Sequence, residues 1–526
     1  MVALSVLAFS AALVVFVKSF RLLWEDAKIP VLCAALFFLF SINAVVNSSS
    51  PFEQNFYGTY GRNTGFLTYL CLTLVFLAAL VLRRKESFRN ILYGLLCAGI
   101  INVVYGAWTI VFGDFVGWSN PYNRILGTLG NPNFIGAFLG IFASLLVAFI
   151  LKPGTSLILR LSGLAMLGMT FYEIKASLAV QGVVVSAGGI ALVIFFYLRS
   201  RFSNWSLPLI YLGSVGVVGV FALMGALQKG PLTSLVYKTS VSLRGEYWQA
   251  GINMGTSHPL TGVGMDAYGD WYRRARDDQA LILPGPNTVT NTAHNVFIDI
   301  FAYGGYPLII AYMGIFVISA LAAIKLTLIQ KEFSFVKVGL IVTWICYHVQ
   351  ALISINQIGI AVWGWVLSGA LIAYEYTTRT QKSESVKKHT SKDADKNSAF
   401  ISSQMLAGLG MVAGVLIAIP PLNGDVKWRE AIQAQSMELV NSALTPKYMN
   451  PASSNLYTNA TIIFEDNTLP DLAYKYGKIN VEFNPENFDS WRVLYSLKNA
   501  TPEDRKLAKE KMIELDPLNE EWKKLP

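Results

Sequence analysis

The fold class this sequence predicts is an all-α, polytopic membrane protein, and three observations carry it. Of its 526 residues 53% are hydrophobic and only 14% charged, with a mean hydropathy of +0.45; a soluble surface on a chain this long needs far more charge. Apolar runs of ~17 to 25 residues, the reach of a bilayer-spanning helix, recur along most of the length. Basic residues alternate between connections: about 20 Lys and Arg fall on one set, about 9 on the opposite set, and about 13 in the C-terminal tail, where about 16 acids outweigh them. That asymmetry is the positive-inside pattern. The net charge of +9 therefore speaks of topology and anionic lipid, and no nucleic acid is expected as a partner.

Twelve spans follow in order, near 1–17, 29–46, 65–82, 89–112, 133–151, 158–173, 178–198, 206–228, 295–324, 338–354, 358–376 and 400–420. Lys18 and Arg21 follow the first apolar stretch instead of preceding it. A first helix with its N-terminus outside is expected, not a cleavable signal peptide. Lys152, Arg160, Arg199, Arg201, Lys325, Lys331 and Lys337 mark inside connections. The organisation predicted is a membrane core over 1–376, a basic cytoplasmic linker at 377–399 read as disordered, a last span at 400–420 and an extracytoplasmic tail at 421–526. The setting is the cytoplasmic membrane, with loop and tail outside. Cys33, Cys71, Cys97 and Cys346 all fall within apolar spans and read as small hydrophobes.

Two outside regions are long. The loop 229–294 exceeds ordinary connections, and loops of that size are usually functional. Its "SLRGEYWQAGINMGTS" has helical periodicity, with Leu243, Tyr247, Trp248, Gly251 and Ile252 on one side, and reads as an amphipathic helix near the membrane surface. The tail holds an imperfect repeat: "FNPENFDSW" and "LDPLNEEW" align Pro485 with Pro517, Asn487 with Asn519 and Trp491 with Trp522. The offset is close to that of a tetratricopeptide repeat, so one or two helical hairpins are expected, with a plain helical cap of chance similarity as the equal alternative and a protein partner for the tail in view.

The chemistry-bearing candidates lie on the less basic side. Arg62 ("YGTYGRNTGF"), Arg124 ("NPYNRILGTLGNPN") and Arg244 ("TSVSLRGEYW") each stand at the end of a span or helix. One alone reads as an interfacial anchor; three together read as a converging anion site, because guanidinium offers a planar fork of donors suited to phosphate. "GTLGNPN" places Asn131 as a cap, Pro132 in a first turn and Asn133 just inside, with free backbone donors facing out. His294 stands at the start of the ninth span. The positive end of the helix dipole disfavours imidazolium there, so a neutral ring can accept a proton; a capping or interfacial histidine is the plain alternative. Asn295 is placed to orient the ring or bind hydroxyls. His258 precedes Pro259 in what reads as a turn; it ranks as structural, with a lesser claim to substrate binding beside Asn131 and Asn133. No two histidines are close, and Asp266, Asp270, Asp277 and Asp278 read as a solvated face, so neither a metal nor another cofactor is expected. "GVG" at 262–264 follows no strand-and-helix pattern, which sets a dinucleotide fold aside.

The ordered set "RILGTLGNPNFIGAFL", "SLRGEYWQAGINMGTSHPLTGVG" and "AHNVFIDIFAYGGYPLII", with "YGTYGRNTGFLTYL" upstream and "YHVQALISINQIGIAVWGWVLSG" downstream, resembles the O-antigen ligase and polymerase superfamily over roughly residues 50 to 376. The tail resembles the repeat-bearing end of some members. The resemblance implies a GT-C-like glycosyltransferase that moves a glycan from a polyprenyl diphosphate to a lipid, protein or growing glycan, outside the cytoplasmic membrane, inverting and metal-independent. It implies diphosphate-binding roles for Arg244, Arg62 and Arg124, and a general-base role for His294. The segment "EIKASLAVQGVVVS" departs from the Ser-Arg-Gly of many members, having Ser177 and Gln181-Gly182, and Gln181 stands as a further substrate-binding candidate. A polysaccharide polymerase is the alternative within the family. A transporter or flippase, or an assembly factor, is the alternative outside it; few intramembrane charges appear beyond Asp299 and Glu375.

Overall fold

The computed structural model describes residues 1–116, 120–236, 239–384 and 402–526. Among these, nine helices are long and apolar enough to cross a membrane, and a tenth span arises if the pair Val2–Lys18 and Phe20–Asp26, bent by 82°, counts as one. Two shorter apolar helices, Phe66–Leu80 and Phe335–Ala351, occupy the remaining two expected positions. The chain is a polytopic all-α membrane protein.

Pro132–Ile150 is the hub of the bundle. It is buried over most of its length and packs on Leu157–Ser177, Val180–Arg201 and Phe335–Ala351. Close approach is possible because Gly136, Gly140 and Gly182 present no side chain where the two backbones meet. The first span packs along Ser403–Ala434, whose Gly410 and Gly414 lie against the backbone of Phe9 and Ser5. Ser206–Ala226 is exposed almost all round, as a helix facing lipid is.

Several expectations change. Ser403–Ala434 runs through Pro420 and Pro421 and carries the chain directly into the tail. The linker read as disordered begins as helix, since Ile358–Glu384 continues past 376; residues 385–401, His389 among them, lie outside the described residues. The eighth-to-ninth connection turns its helix differently from the expected surface posture. Thr239–Ser257 packs on Val296–Ile329, burying Tyr247, Ala250 and Met254, while Ile252 points out 40% exposed. Glu173, expected at the edge of a span, is fully buried inside Leu157–Ser177.

The span Val296–Ile329 is broken. Gly304 and Gly305 leave helical geometry, Gly305 at φ 63°, and Pro307 follows. The break frees two carbonyls, and the loop around Gly262 takes them: Val263 N–H donates to Ala302 O at 2.9 Å and Gly264 N–H to Tyr303 O at 3.1 Å. In return Tyr306 N–H donates to Pro259 O at 2.9 Å. A Cβ on Gly262 would stand 2.3 Å from Gly304 N, so only glycine permits this backbone contact. The "GVG" thus fastens the long loop to a broken span, where irregular backbone is tolerated because protein buries it.

The tail is helical, with a core of its own that includes Tyr457, Phe464, Tyr476, Trp491 and Leu494. Ser454–Asp466 pairs with Pro470–Phe483, and Phe488–Ser496 with Pro502–Leu515. The repeated tryptophans act alike: Trp491 donates to Pro485 O at 2.8 Å and Trp522 to Asp516 Oδ2 at 2.9 Å.

Candidate functional site

The tail and the long loop meet on one face of the molecule. Asp516, 0% exposed, accepts from Arg273 at 3.0 Å and from Arg276 at 2.6 Å, and Glu486 lies 2.6 Å from Arg274. Asp270 accepts from Ser50, Gln54, Asn484 and Asn487. The expectation that Asp266 and Asp270 form a solvated face is therefore wrong. Both carboxylates are buried, because partners distant in sequence surround them.

Asp266 builds the first wall of the site. Its Oδ2 accepts Thr59 N–H at 2.6 Å and Thr64 Oγ1 at 2.9 Å, and Tyr303 donates to Oδ1 at 3.3 Å. One carboxylate thus closes the loop 59–64, whose turn is completed by Arg62 N–H donating to Thr59 O. Burial pushes Asp266 above the usual carboxylate range, against the Thr59 N–H and the nearby Arg62. Among the described residues, the buried Nη1 of Arg62 has no hydrogen-bond partner.

His294 is fixed by its backbone. Its N–H donates to Thr292 Oγ1 at 3.2 Å, and Ala293 N–H donates to Asp299 Oδ1 at 2.7 Å. Asn295 caps the broken span by accepting from Phe297 and Ile298 N–H. Between these anchors His294 adopts φ 55°, the left-handed region that costs a side-chain-bearing residue on the order of 1 to 3 kcal/mol. The ring lies 5.8 Å from the Tyr247 ring, and among the described residues no group hydrogen-bonds to its nitrogens.

A cavity of about 1060 Å³ gathers these groups. Arg62, Arg244, His294, Asn131, Asn133 and Gln181 all line it. Its described lining contains no carboxylate. His294 is lowered to about 4 by burial first and then by the positive charges of Arg244 and Arg62. Those causes, more than a helix dipole, favour the neutral ring. Burial also draws Arg244 below its ordinary value, although guanidinium stays charged. Chemically, the arrangement offers two cations for an anion and one neutral imidazole for a proton.

Arg124, Asn295 and His258 fall outside this lining. Arg124 is exposed and does not line the cavity; its carbonyl accepts from Asn120. Asn295 is occupied as a cap. His258 sits edge-on to Trp271 at 4.6 Å, with Nδ1 3.0 Å from Ser257 Oγ, in the turn expected of it. Asn131 caps Pro132–Ile150 through Asn133 N–H and donates to Tyr122.

Sequence reasoning missed two parts of the lining. Asn102 accepts Thr128 N–H and Oγ1 at 3.0 and 2.9 Å, which sets the "GTLGNPN" turn against Lys85–Phe112. The signal was there: an amide inside "AGIINVVYG" must find partners in an apolar setting. Asn356 and Gln357 also line it, and Asn356 Oδ1 accepts from Tyr347 at 3.4 Å.

No curated protein matches the chain. Residues 174–313 match the family model described as O-antigen ligase, a stretch that holds Gln181, Arg244, His294 and the broken span. A glycan ligase or polymerase type of function goes with that family, with a glycan and a lipid-linked substrate at a membrane. The match over residues 174–313 supports the O-antigen ligase superfamily for this multi-pass membrane chain.

Proposed function

We propose that the protein is an inverting glycosyltransferase that takes a glycan from a polyprenyl diphosphate and joins it to an acceptor hydroxyl on the extracytoplasmic face. The observation that carries the reading is the single cavity with Arg62, Arg244 and His294 on its wall and no carboxylate in its described lining. The arginine forks bind the diphosphate. The described wall offers a divalent ion no carboxylate, and on this reading the arginines supply the charge that compensates the diphosphate. His294 takes the acceptor O–H proton as the oxygen attacks the anomeric carbon. The bond from that carbon to the diphosphate breaks, and polyprenyl diphosphate departs with its charge held by the two arginines. Asn131, Asn133 and Gln181 line the same space and suit sugar hydroxyls.

Binding also tunes the base. An imidazole at about 4 is a weak proton acceptor in the empty site. An anion between the arginines neutralises the charges that oppose a proton on His294, so donor binding raises its basicity. Arg124 remains outside this scheme. Ligation to lipid, transfer to protein and chain extension all use the same chemistry.

Single-turnover transfer from a labelled polyprenyl-diphosphate glycan tests the reading. Arg62→Ala and Arg244→Ala lose donor binding and transfer together while protein levels stay near those of the wild type. Transfer at the wild-type rate by both variants rejects the donor site.

A further inference from the structure

A second cavity, of about 310 Å³, lies behind the loop that carries Arg62. Tyr57, Thr59 and Tyr60 border it, Gly61, Arg62 and Thr64 border the larger cavity, and Asn63 borders both. Its far wall is tail: Asp425, Asn455, Phe483 and Asp489. The walls are pinned to one another. Tyr60 donates to Asp425, Asn484 and Asn487 donate to Asp270, and Asp516 holds Arg273 and Arg276. Its volume stands at the lower end of the ~300 to 1,000 Å³ of small-molecule sites.

The charge of this pocket is opposite to that of its neighbour. Glu53, Asp425 and Asp489 face it, and its sole basic lining residue, Arg273, is already paired with Asp516. Asp425 is bound by the Tyr60 phenol and lies 3.7 Å from Arg429, and Asp489 lies 3.0 Å from Arg492; among the described residues Glu53 has no ion-pair partner. Carboxylates and amides beside aromatic rings suit a ligand with many hydroxyl donors and flat C–H faces. They repel uronate or phosphate groups.

Resting on the transfer reading above, we infer that this pocket is an acceptor-side subsite for an uncharged glycan chain, built jointly by the tail and the Arg62 loop. It holds sugar residues away from the reacting hydroxyl, where their binding energy orients the acceptor. The tail is thereby part of the substrate site.

The test uses the full chain in nanodiscs and two probe sets, uncharged hexose and N-acetylhexosamine oligosaccharides against uronate oligosaccharides of equal length. The uncharged set binds the wild type and Arg244→Ala alike, and the uronate set does not. Asn455→Trp, at an exposed position on the pocket wall, blocks the space and weakens uncharged binding by at least about tenfold, while binding of a polyprenyl-diphosphate analogue is unchanged. Glu53→Gln, which keeps the side-chain shape, narrows the preference against uronates. Equal binding of both sets, no binding of either, or uncharged binding kept within twofold by both Asn455→Trp and Glu53→Gln overturns the inference. Failure of the transfer reading has a different signature: transfer that survives Arg244→Ala, with the pocket results unchanged.

Discussion

Arginines serve two regions of this molecule in opposite ways. At the junction of loop and tail, Arg273 and Arg276 share the fully buried Asp516, and Arg274 meets Glu486. In the larger cavity, among the described residues, Arg62 has a buried Nη1 with no hydrogen-bond partner, and no carboxylate lines the wall that it shares with Arg244. The first set holds the fold together. On the proposed reading, the second awaits an anion from outside the chain. Burial of an arginine does not by itself separate these uses; among the described residues, an ion pair at Arg273, Arg274 and Arg276 and none at Arg62 or Arg244 does.

The comparison can be broken most strongly at His294. His294→Ala should lower turnover by about 10² to 10⁴ while binding of the lipid diphosphate persists, since general-base assistance is worth about that much. A variant that keeps more than about a tenth of wild-type turnover would remove the residue from the chemistry.

Asp516→Ala acts on the other region. It leaves Arg273 and Arg276 buried and uncompensated, which costs about 3 to 5 kcal/mol where one partner of a buried pair is lost. Limited proteolysis should then release the tail before the membrane core unfolds. A tail as protected as in the wild type would show that the ion cluster does not hold it.

Arg62→Lys and Arg244→Lys are the finer probe. Replacing a planar fork by a point charge removes hydrogen bonds to a charged group worth about 1.5 to 3 kcal/mol, so donor affinity should fall by roughly 10- to 150-fold. Full activity in both lysine variants would reduce these residues to interfacial anchors. The same substitution at Arg273 should leave donor affinity unchanged and affect stability alone.

The spans were legible because a bilayer demands long apolar runs, and all twelve expected positions hold a helix. Arg62, Arg244 and His294 were legible as candidates because basic and imidazole groups are scarce on the side where they stand. Asp266 and Asp270 misled for a physical reason. Their hydrogen-bond partners, from Ser50 through Thr64 and from Asn484 and Asn487, lie some two hundred residues away, and no local pattern records them. The break at Gly304 and Gly305 was visible as "YGGYP", but its purpose depends on the Gly262 loop that fills it. Arg124 has the same sequence context as the other candidates and still ends exposed, because the turn after it, not its side chain, reaches the cavity.

The central claim is that two arginine charges and a buried imidazole share one anion-binding cavity. With only four histidines, isotope labelling makes the His294 ring assignable by NMR. In the empty protein the ring should titrate near 4 and remain neutral through physiological pH. A polyprenyl-diphosphate analogue should raise that value, because a bound anion favours imidazolium. The acid limb of kcat, where the ring gains a proton and ceases to act as base, should therefore lie at higher pH than the acid limb of kcat/KM. Arg244→Ala should raise the empty-state value as well. A ring that titrates at the ordinary 6.5 and responds to neither the analogue nor Arg244→Ala would contradict the shared site.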